Sequence, residues 1–340
     1  MKILIITQKI DRNDSVLGFF CRWVEEFSKH CEQVTVIALG EGTHNLPKNV
    51  RVFSLGKERG ASRIGYLYNF YRLIWHERKN YDVVFIHMNP EYVILGGILW
   101  KILRKKIALW YTHKVVSWYL RVAEKLSNDI FTASKESFRL SSEKLHITGH
   151  GIDTDLFSPA PVLPVEMIIL NVGRISRTKQ QLDAIKIFEH ILKISPGSSL
   201  HIVGNPLLVD DKDYRDEIQA YISLHGLGER ISLLGAIPNY KMPDIYRHAS
   251  VLINLSRTGS LDKDVLEAIA CGVPAVTTNE AFQSMLGPYG LFVTDPGDPL
   301  VVAKAIVNAS GKDMAMLVGR VRNEHSLSTL IIKIMNQLSA

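Results

Sequence analysis

"SRTGSLDKDVLEAIACGVPAV", Ser256 to Val276, is the stretch on which the reading of this chain turns. With the apolar run before it, it reads as strand, loop, helix and strand. "SVLINLS" (250–256) is a strand and "RTGSL" the polar loop at its carboxyl end. "DKDVLEAIACG" (262–272) is a helix, and "PAVTT" (274–278) a second strand. Gly272 suits the helix C-terminus, and Pro274 prevents continuation. From Val265 to Ala275 every residue is apolar, Gly or Pro except Glu267. A buried carboxylate is costly unless hydrogen-bonded, so Glu267 needs donors, and a ribose diol is one candidate. The plainer account is a Glu complementing the positive end of a helix dipole. The loop itself offers backbone N–H groups, the Ser260 hydroxyl and the Asp262 carboxylate.

The same alternation extends in both directions. Downstream of residue 166, "MIILNVG", "SLHIVG" and "ISLLGAI" read as strands. "KQQLDAIKIFEHILKI" and "YRDEIQAYISLHG" read as helices, the first with an apolar face of Leu182, Ile185, Phe188, Ile191 and Leu192. "YKMPDIYRHA" reads as a short helix despite Pro243. In the first half, "KILIIT", "QVTVIAL", "YDVVFIHM", "KIALWYTH", "NDIFTAS" and "KLHITGHGID" are strand-like, and "GFFCRWVEEFSKH" is helical. Short buried runs alternating with helices predict a parallel sheet covered on both faces. "TDLFSPAPVLPVE" (154–166) holds three prolines and no periodicity, which marks a linker. The expectation is α/β: two Rossmann-like domains facing across a cleft, over 1–157 and 158–325. A tail helix over 326–340 packs back toward the first. Ligands in such sheets bind outside the carboxyl ends of the strands.

Composition narrows the classes. The 340 residues are 46% hydrophobic and 22% charged, ordinary for a soluble protein. Cys21, Cys31 and Cys271 are scattered and odd in number, which predicts neither a disulfide framework nor a zinc site. "MKILIITQKI" is too short in its apolar core for a secretory signal. "YVILGGILWKILRKKIALW" is interrupted by Lys101, Arg104, Lys105 and Lys106, too often to span a bilayer. Residues 1–158 carry 23 Lys+Arg against 16 Asp+Glu, whereas residues 159–340 carry 17 against 18. The basic half fits an anionic substrate or surface. "YNFYRLIWHERKN" and "WKILRKKIALW" mix aromatic with basic residues as membrane-interface segments do, with core aromatics and solvated charges as the equal alternative. The expected setting is the cytoplasm, peripheral on the inner face of the plasma membrane.

"GRISRTK" (173–179) follows a strand and opens a helix. Arg174, Arg177 and Lys179 thus stand at the positive end of a helix dipole, the unfavourable end for cations. A phosphate among them, also taking the N–H groups of the first turn, accounts for Arg174 and Lys179. Arg177 is equally well read as a solvated charge.

"NVGRISRTK" followed by "SRTGSLDKDVLEAIACGVPAV" resembles the C-terminal half of family-four glycosyltransferases, which are retaining, sugar-nucleotide-dependent enzymes of GT-B fold. "GHGIDTDLFSP", "LHIVGN" and "ISLLGAIPNYKMPDIYRHASVLINLS" add to the likeness. The resemblance implies that Gly173, Arg174 and Lys179 hold the donor diphosphate and Glu267 the ribose hydroxyls. Backbone near Ala236 and Ile237 then faces the base. The family's acidic residue, eight positions before the ribose Glu, is Gly259 here; Ser260, Leu261 and Asp262 complete the loop, and Asp262 is the available substitute carboxylate. In the first half, Gly18 resembles the glycine loop facing the diphosphate, and His113 the histidine beside the donor sugar; a core histidine is the alternative. His87 and Glu91, at another strand end, suit either acceptor binding or structure.

The implied mechanism is front-face displacement with Arg174, Lys179 and His113 catalytic, no metal or other cofactor, and a UDP- or GDP-sugar as substrate. The implied acceptor is a hydroxyl of a glycan or lipid-linked glycan in cell-surface polysaccharide or glycoconjugate assembly. A GT-B relative binding a nucleotide sugar without transfer, or a sugar-nucleotide epimerase, stays open. A nicotinamide oxidoreductase would show G-x-G-x-x-G after the first strand, which "TQKIDRNDSVLG" does not. A nucleic-acid-binding protein would leave Glu267 and the cations of 173–179 unexplained.

Overall fold

The computed structural model describes residues 1–160, 166–294 and 297–339. It divides into two compact α/β units. Unit 1 comprises Met1–Asp153, Pro238–Tyr240 and the chain from Glu324 onward; unit 2 comprises Thr154–Ile237 and Lys241–Asn323. The proline-rich linker expected over 154–166 lies, at 161–165, outside the described residues. Its described beginning packs on unit 2, where Phe157 is buried against Tyr246 and the Arg247 guanidinium donates to the carbonyls of Leu156 and Ser158.

Unit 1 holds strands β1 (Lys2–Ile10), β2 (Gln33–Glu41), β3 (Val50–Ser54), β4 (Val83–His87), β5 (Lys106–Trp110), β6 (Asp129–Thr132) and β7 (Leu145–Ile147). Its helices are α1 (Phe20–His30), α2 (Arg63–His76), α3 (Pro90–Ile102) and α4 (Trp118–Leu126). The strands pair in parallel in the order β3-β2-β1-β4-β5-β6-β7. Successive side chains of a strand face opposite ways, and both faces here are apolar. Leu4 and Ile6, Val84 and Ile86, and Ile107 and Leu109 join a core with Phe70 and Ile74 of α2, Val93 and Trp100 of α3 and Leu120 of α4. On the other side, Phe27 of α1 packs on Phe85, and Trp23 meets Trp110 edge-on. The run that looked membrane-like divides into α3 and β5. Gly97 of α3 leaves room for Leu126 of α4, since a Cβ there would lie 3.1 Å from its Cδ1.

Unit 2 holds β8 (Ile168–Val172), β9 (Ser199–Val203), β10 (Ile231–Gly235), β11 (Val251–Asn254) and β12 (Ala275–Thr277), parallel in the order β10-β9-β8-β11-β12. Its helices are α5 (Gln181–Ile194), α6 (Val209–Leu224), α7 (Met242–Arg247), α8 (Lys263–Ala270), α9 (Gln283–Leu286), α10 (Pro299–Ala309) and α11 (Ala315–His325), the last crossing into unit 1. One local expectation is corrected. In α5 the buried face is Gln181, Ala184, Ile185, Ile187, Phe188 and Ile191, whereas Leu182 and Leu192 are half-buried. A stripe drawn through the leucines is rotated from the one that meets the sheet. The short helix expected around Pro243 is α7, and Pro243 is tolerated because it lies in the first turn, where the N–H it lacks has no helical partner anyway.

The last helix, α12 (Leu327–Ser339), belongs to unit 1. Gln337 donates to Asp129 Oδ1 at 2.9 Å, and Lys106 Nζ donates to the Gln337 carbonyl at 2.8 Å. Leu330, Ile331 and Ile334 are fully buried. Ile331→Ala should therefore destabilise the protein by about 2–5 kcal/mol, the usual cost of truncating a buried aliphatic side chain. A urea midpoint unchanged from wild type would show that α12 is peripheral.

Candidate active site

In each sheet the strand order reverses beside the first strand of the unit, and ligands of such sheets gather at the carboxyl ends there. In unit 2 that point lies between β8 and β11. The loop after β8 is 173–180 and the loop after β11 is 255–262, so the two motifs read from the sequence meet at one place. Gly204, at the end of β9, permits the approach of the neighbouring strand ends: its φ is 145°, and a Cβ there would lie 1.9 Å from the Gly173 carbonyl oxygen. Ala236 and Ile237 follow β10 at the sheet edge, one exposed and one half-buried.

The β8 loop is held from within. Gln181, fully buried, donates to the Arg174 carbonyl at 3.0 Å and accepts from Ser176 N–H at 3.2 Å. The three cations then part. Arg177 leans over the Tyr214 ring and pairs with Glu217 of α6 at 2.7 Å, a solvated ion pair of the kind that contributes little. Arg174 lies half-exposed near Asp211, at 3.7 Å. Lys179 turns inward, and its Nζ meets Asp262 Oδ1 at 2.9 Å and Asp264 Oδ1 at 3.9 Å.

Asp262 is the hub of the β11 loop. Its carboxylate accepts from Asn254 Nδ2 at 3.2 Å, Asn279 Nδ2 at 3.1 Å and Thr258 Oγ1 at 3.2 Å, besides Lys179. Asn254 Nδ2 also donates to Asp264 at 3.0 Å, while its Oδ1 accepts from Ser256 N–H and Thr277 Oγ1. Asn279 further donates to the Ser260 carbonyl at 2.9 Å. Gly259 takes a left-handed φ of 61° in this loop, and Leu261 is buried. Arg257 clamps the two loops, its N–H on the Thr178 carbonyl and its Nε on Gln180 Oε1. The substitute carboxylate expected at Asp262 is thus engaged by Lys179 and the two asparagines.

Two carboxylates beside one ammonium in a buried place divide in their titration. Burial alone would raise Asp262, but the Lys179 charge and the hydrogen bonds outweigh it and hold its carboxyl low. Burial opposes the charge on Lys179 too, yet Asp264 and Asp262 keep its pKa raised. Asp264 is pushed up to about 6, by burial first, with Lys179 opposing and the Asp262 and Glu267 charges adding to the rise.

Glu267 is the fifth residue of α8, beyond the first turn to which the dipole effect is confined. It is buried, with Oε2 accepting from the Tyr246 hydroxyl at 3.1 Å and Oε1 lying 3.4 Å from Lys263 Nζ. Burial and this carboxylate raise the Tyr246 hydroxyl well above its ordinary pKa, so it stays a donor. A pocket of about 570 Å³ opens beside the β11 loop, lined among others by Gln180, Lys186, Ser256, Gly259, Asn279 and Glu280. Arg174, Lys179 and Glu267 do not line it.

In unit 1 the sequence-derived candidates also lie at strand ends. Gly18 closes a turn after β1, its N–H on the Asp14 carbonyl; a Cβ there would lie 2.4 Å from that oxygen. His113, after β5, is exposed; its Nδ1 accepts from Val115 N–H at 3.1 Å, which leaves Nε2 as the ring's donor. Glu91 sits in the first turn of α3, where a carboxylate suits the dipole. His87 is buried and stacks on Phe20 with ring centroids 4.1 Å apart, close to Phe19 and Trp23. That placement favours its structural reading over acceptor binding.

Sequence reasoning missed Asn254, Asn279, Asp264, Tyr246 and Arg257. An Asn closing the apolar run "VLIN" was the available signal for the first.

Residues 166–311, which contain every candidate of unit 2, match the family model described as glycosyl transferases group 1. The fold is GT-B. The chain superimposes on Anabaena HepE, solved in complex with UDP-glucose, with a TM-score of 0.78 at 17% identity, covering 100% of both chains. Sucrose-phosphate synthase from Thermosynechococcus elongatus gives 0.77 at 16% identity, covering 100% of this chain and 98% of that one. At such identities the likeness is one of fold. Among curated proteins, the chain is 25% identical over 203 residues to the D-inositol 3-phosphate glycosyltransferase of Acidothermus cellulolyticus, covering 54% of this chain and 45% of that one. It is 24% identical over 263 residues to the lipopolysaccharide core biosynthesis mannosyltransferase LpsB of Rhizobium meliloti, covering 71% and 69%. Against three of the curated relatives it matches, the chain spans less than half of their length, at 37%, 34% and 45%.

The raised carboxyl of Asp264 has a consequence for stability. A carboxyl whose folded-state pKa lies above its ordinary 3.8 contributes stability present below that value and lost as pH rises through about 6. Asp264→Asn should remove that component, on the order of 1–3 kcal/mol, between about pH 4 and about pH 6. Urea unfolding of both proteins across that range reads it; parallel pH profiles would contradict the assignment.

Proposed function

We propose that the chain is a retaining glycosyltransferase of family four, moving a sugar from a UDP- or GDP-sugar to a hydroxyl of a glycan or lipid-linked acceptor without a resident metal. The observation that carries this is the meeting of two loops at the β8/β11 switch point, one bringing Arg174 and Lys179 and the other leading to the buried Glu267. The match of residues 166–311 and the curated relatives support it. Ser260 and Leu261, with Ala236 and Ile237, complete the donor side of this reading.

Lys179 and Arg174 serve the diphosphate. An ammonium has three N–H donors, so Lys179 can hold Asp262 and a phosphate oxygen together. Glu267, already fixed by Tyr246 and Lys263, takes the ribose hydroxyls. In the reaction the bond from the anomeric carbon to the phosphate oxygen breaks while the bond to the acceptor oxygen forms on the same face. The acceptor's proton passes to the leaving phosphate. Negative charge grows on that phosphate, and cations preorganised against it stabilise the transition state. His113, whose Nε2 carries the ring's hydrogen, is assigned to the sugar. Unit 1, the basic half, is read as working against an anionic membrane surface in the cytoplasm. No described helix is long and apolar enough to cross a membrane.

A second reading, binding of a nucleotide sugar without transfer, is favoured by Gly259 at the usual acidic position and by the carboxylate already on Lys179.

Release of nucleoside diphosphate from a panel of UDP- and GDP-sugars tests the first reading, beside binding of the same nucleotides. Lys179→Ala should lower kcat/KM about 100-fold or more, as loss of a preorganised charge does. Glu267→Gln, which keeps an acceptor for Tyr246, should weaken nucleotide binding about 10-fold and leave pyrophosphate binding unchanged. Binding without release would favour the second reading, and wild-type behaviour of both variants would refute the site.

A further inference from the structure

We infer that the outer face of the α2–α3–α4 layer is a docking surface for an anionic lipid bilayer. The inference deepens the membrane reading above by naming the surface, and it is independent of the donor site. The three helices form one layer. Tyr71 of α2 donates to the Leu95 carbonyl of α3 at 2.9 Å, and Lys101 of α3 reaches the Lys125 carbonyl of α4. Their inner side chains fill the core of unit 1.

A helix that packs on one side of a sheet usually turns polar residues outward. These helices turn apolar and aromatic residues outward as well. In α2 the exposed apolar and aromatic residues are Ile64 (81% exposed), Leu67, Tyr68 (68%), Tyr71 and Trp75. Their spacing is that of one helix face, opposite the buried Phe70, Leu73 and Ile74. In α3, Leu95, Ile98 (67%) and Ile102 (72%) repeat the pattern, and in α4 Trp118 (60%), Tyr119 and Val122 extend it. Trp118 and Tyr119 stack with centroids 3.8 Å apart, and the Arg78 guanidinium lies 4.2 Å over the Trp75 ring. Exposed apolar residues are ordinary when scattered; a contiguous set on three neighbouring helices marks an interaction surface.

Charge selects the partner. Residues 63–126 carry eleven Lys+Arg against four Asp+Glu, the whole excess of the basic half. Of the acids, Glu77 is buried and paired with Arg51, and Glu124 pairs with Lys144. Arg63, Arg72, Lys101, Arg104, Arg121 and Lys125 are exposed among the apolar residues. A second copy of the chain on this face would set basic against basic across a two-fold axis, which is unfavourable. An anionic bilayer takes both components: aliphatic side chains enter the acyl boundary, Trp and Tyr lie at headgroup depth, and the cations meet lipid phosphates.

Sedimentation with vesicles tests this, using phosphatidylcholine alone and an equal mixture of phosphatidylcholine and phosphatidylglycerol. The wild type should pellet at least tenfold more with the anionic vesicles, and less as salt is raised. The double variant Tyr68→Ser/Ile98→Ser and the triple variant Arg72→Glu/Lys101→Glu/Arg121→Glu should stay in the supernatant. Both should keep the wild-type thermal transition and wild-type nucleotide binding, which separates this outcome from failure of the donor site. Wild type remaining in the supernatant with both lipids would overturn the inference, as would variants that pellet like wild type. A wild-type dimer by light scattering that the double variant dissolves would also overturn it, in favour of a second copy.

Discussion

The ion pair between Lys179 and Asp262 is the constraint on which the arrangement of unit 2 depends. It joins the loop after β8 to the loop after β11 at 2.9 Å, in a place largely closed to water. An ammonium brought there needs a carboxylate, and a carboxylate needs donors for its remaining lone pairs. Asn254, Asn279 and Thr258 supply them. The cost of burying charge is thereby offset only if both loops hold one geometry. Removing either partner would strand the other, which is more damaging than never having had the pair.

From that pair the remaining features follow. Asp264, a few residues along and sharing Asn254, is pushed up to about 6 by burial and by the neighbouring Asp262 charge, against the opposing charge of Lys179. Glu267, one turn further along α8, finds separate partners in Tyr246 and Lys263. The carboxylate behind the glycine-containing loop is therefore held in place by the fold before any ligand arrives. A ribose would meet an acceptor whose orientation is already fixed, which lowers the ordering cost of binding. The same economy has a counterpart at Lys179, where a phosphate bound as proposed would share the cation with Asp262.

Much of this was legible in the sequence, and the part that was not has a common cause. The alternation of short apolar runs with helices gave both parallel sheets, because a strand buried on two faces leaves few other patterns. Glu267 stood out because its neighbours are apolar, and Gly173 and Lys179 because their loop opens a helix. Arg177 was left open between a phosphate ligand and a solvated charge, because its partner Glu217 lies forty residues away. Tyr246 lies twenty-one residues before the carboxylate it serves. Asn254 and Asn279 act through loops that only the sheet order brings together. In α2 the mixture of aromatic and basic residues suited either a surface or a core, and the observed exposure shows which apolar residues lie outside.

The most direct test of the central claim is a crystal structure with a nucleoside diphosphate bound. The account predicts a phosphate oxygen within hydrogen-bonding distance of Lys179 Nζ and the ribose hydroxyls on the Glu267 carboxylate, with Tyr246 still donating to it. A nucleotide bound elsewhere, with Lys179 still held by Asp262 alone, would contradict the account and leave the pair a purely structural one.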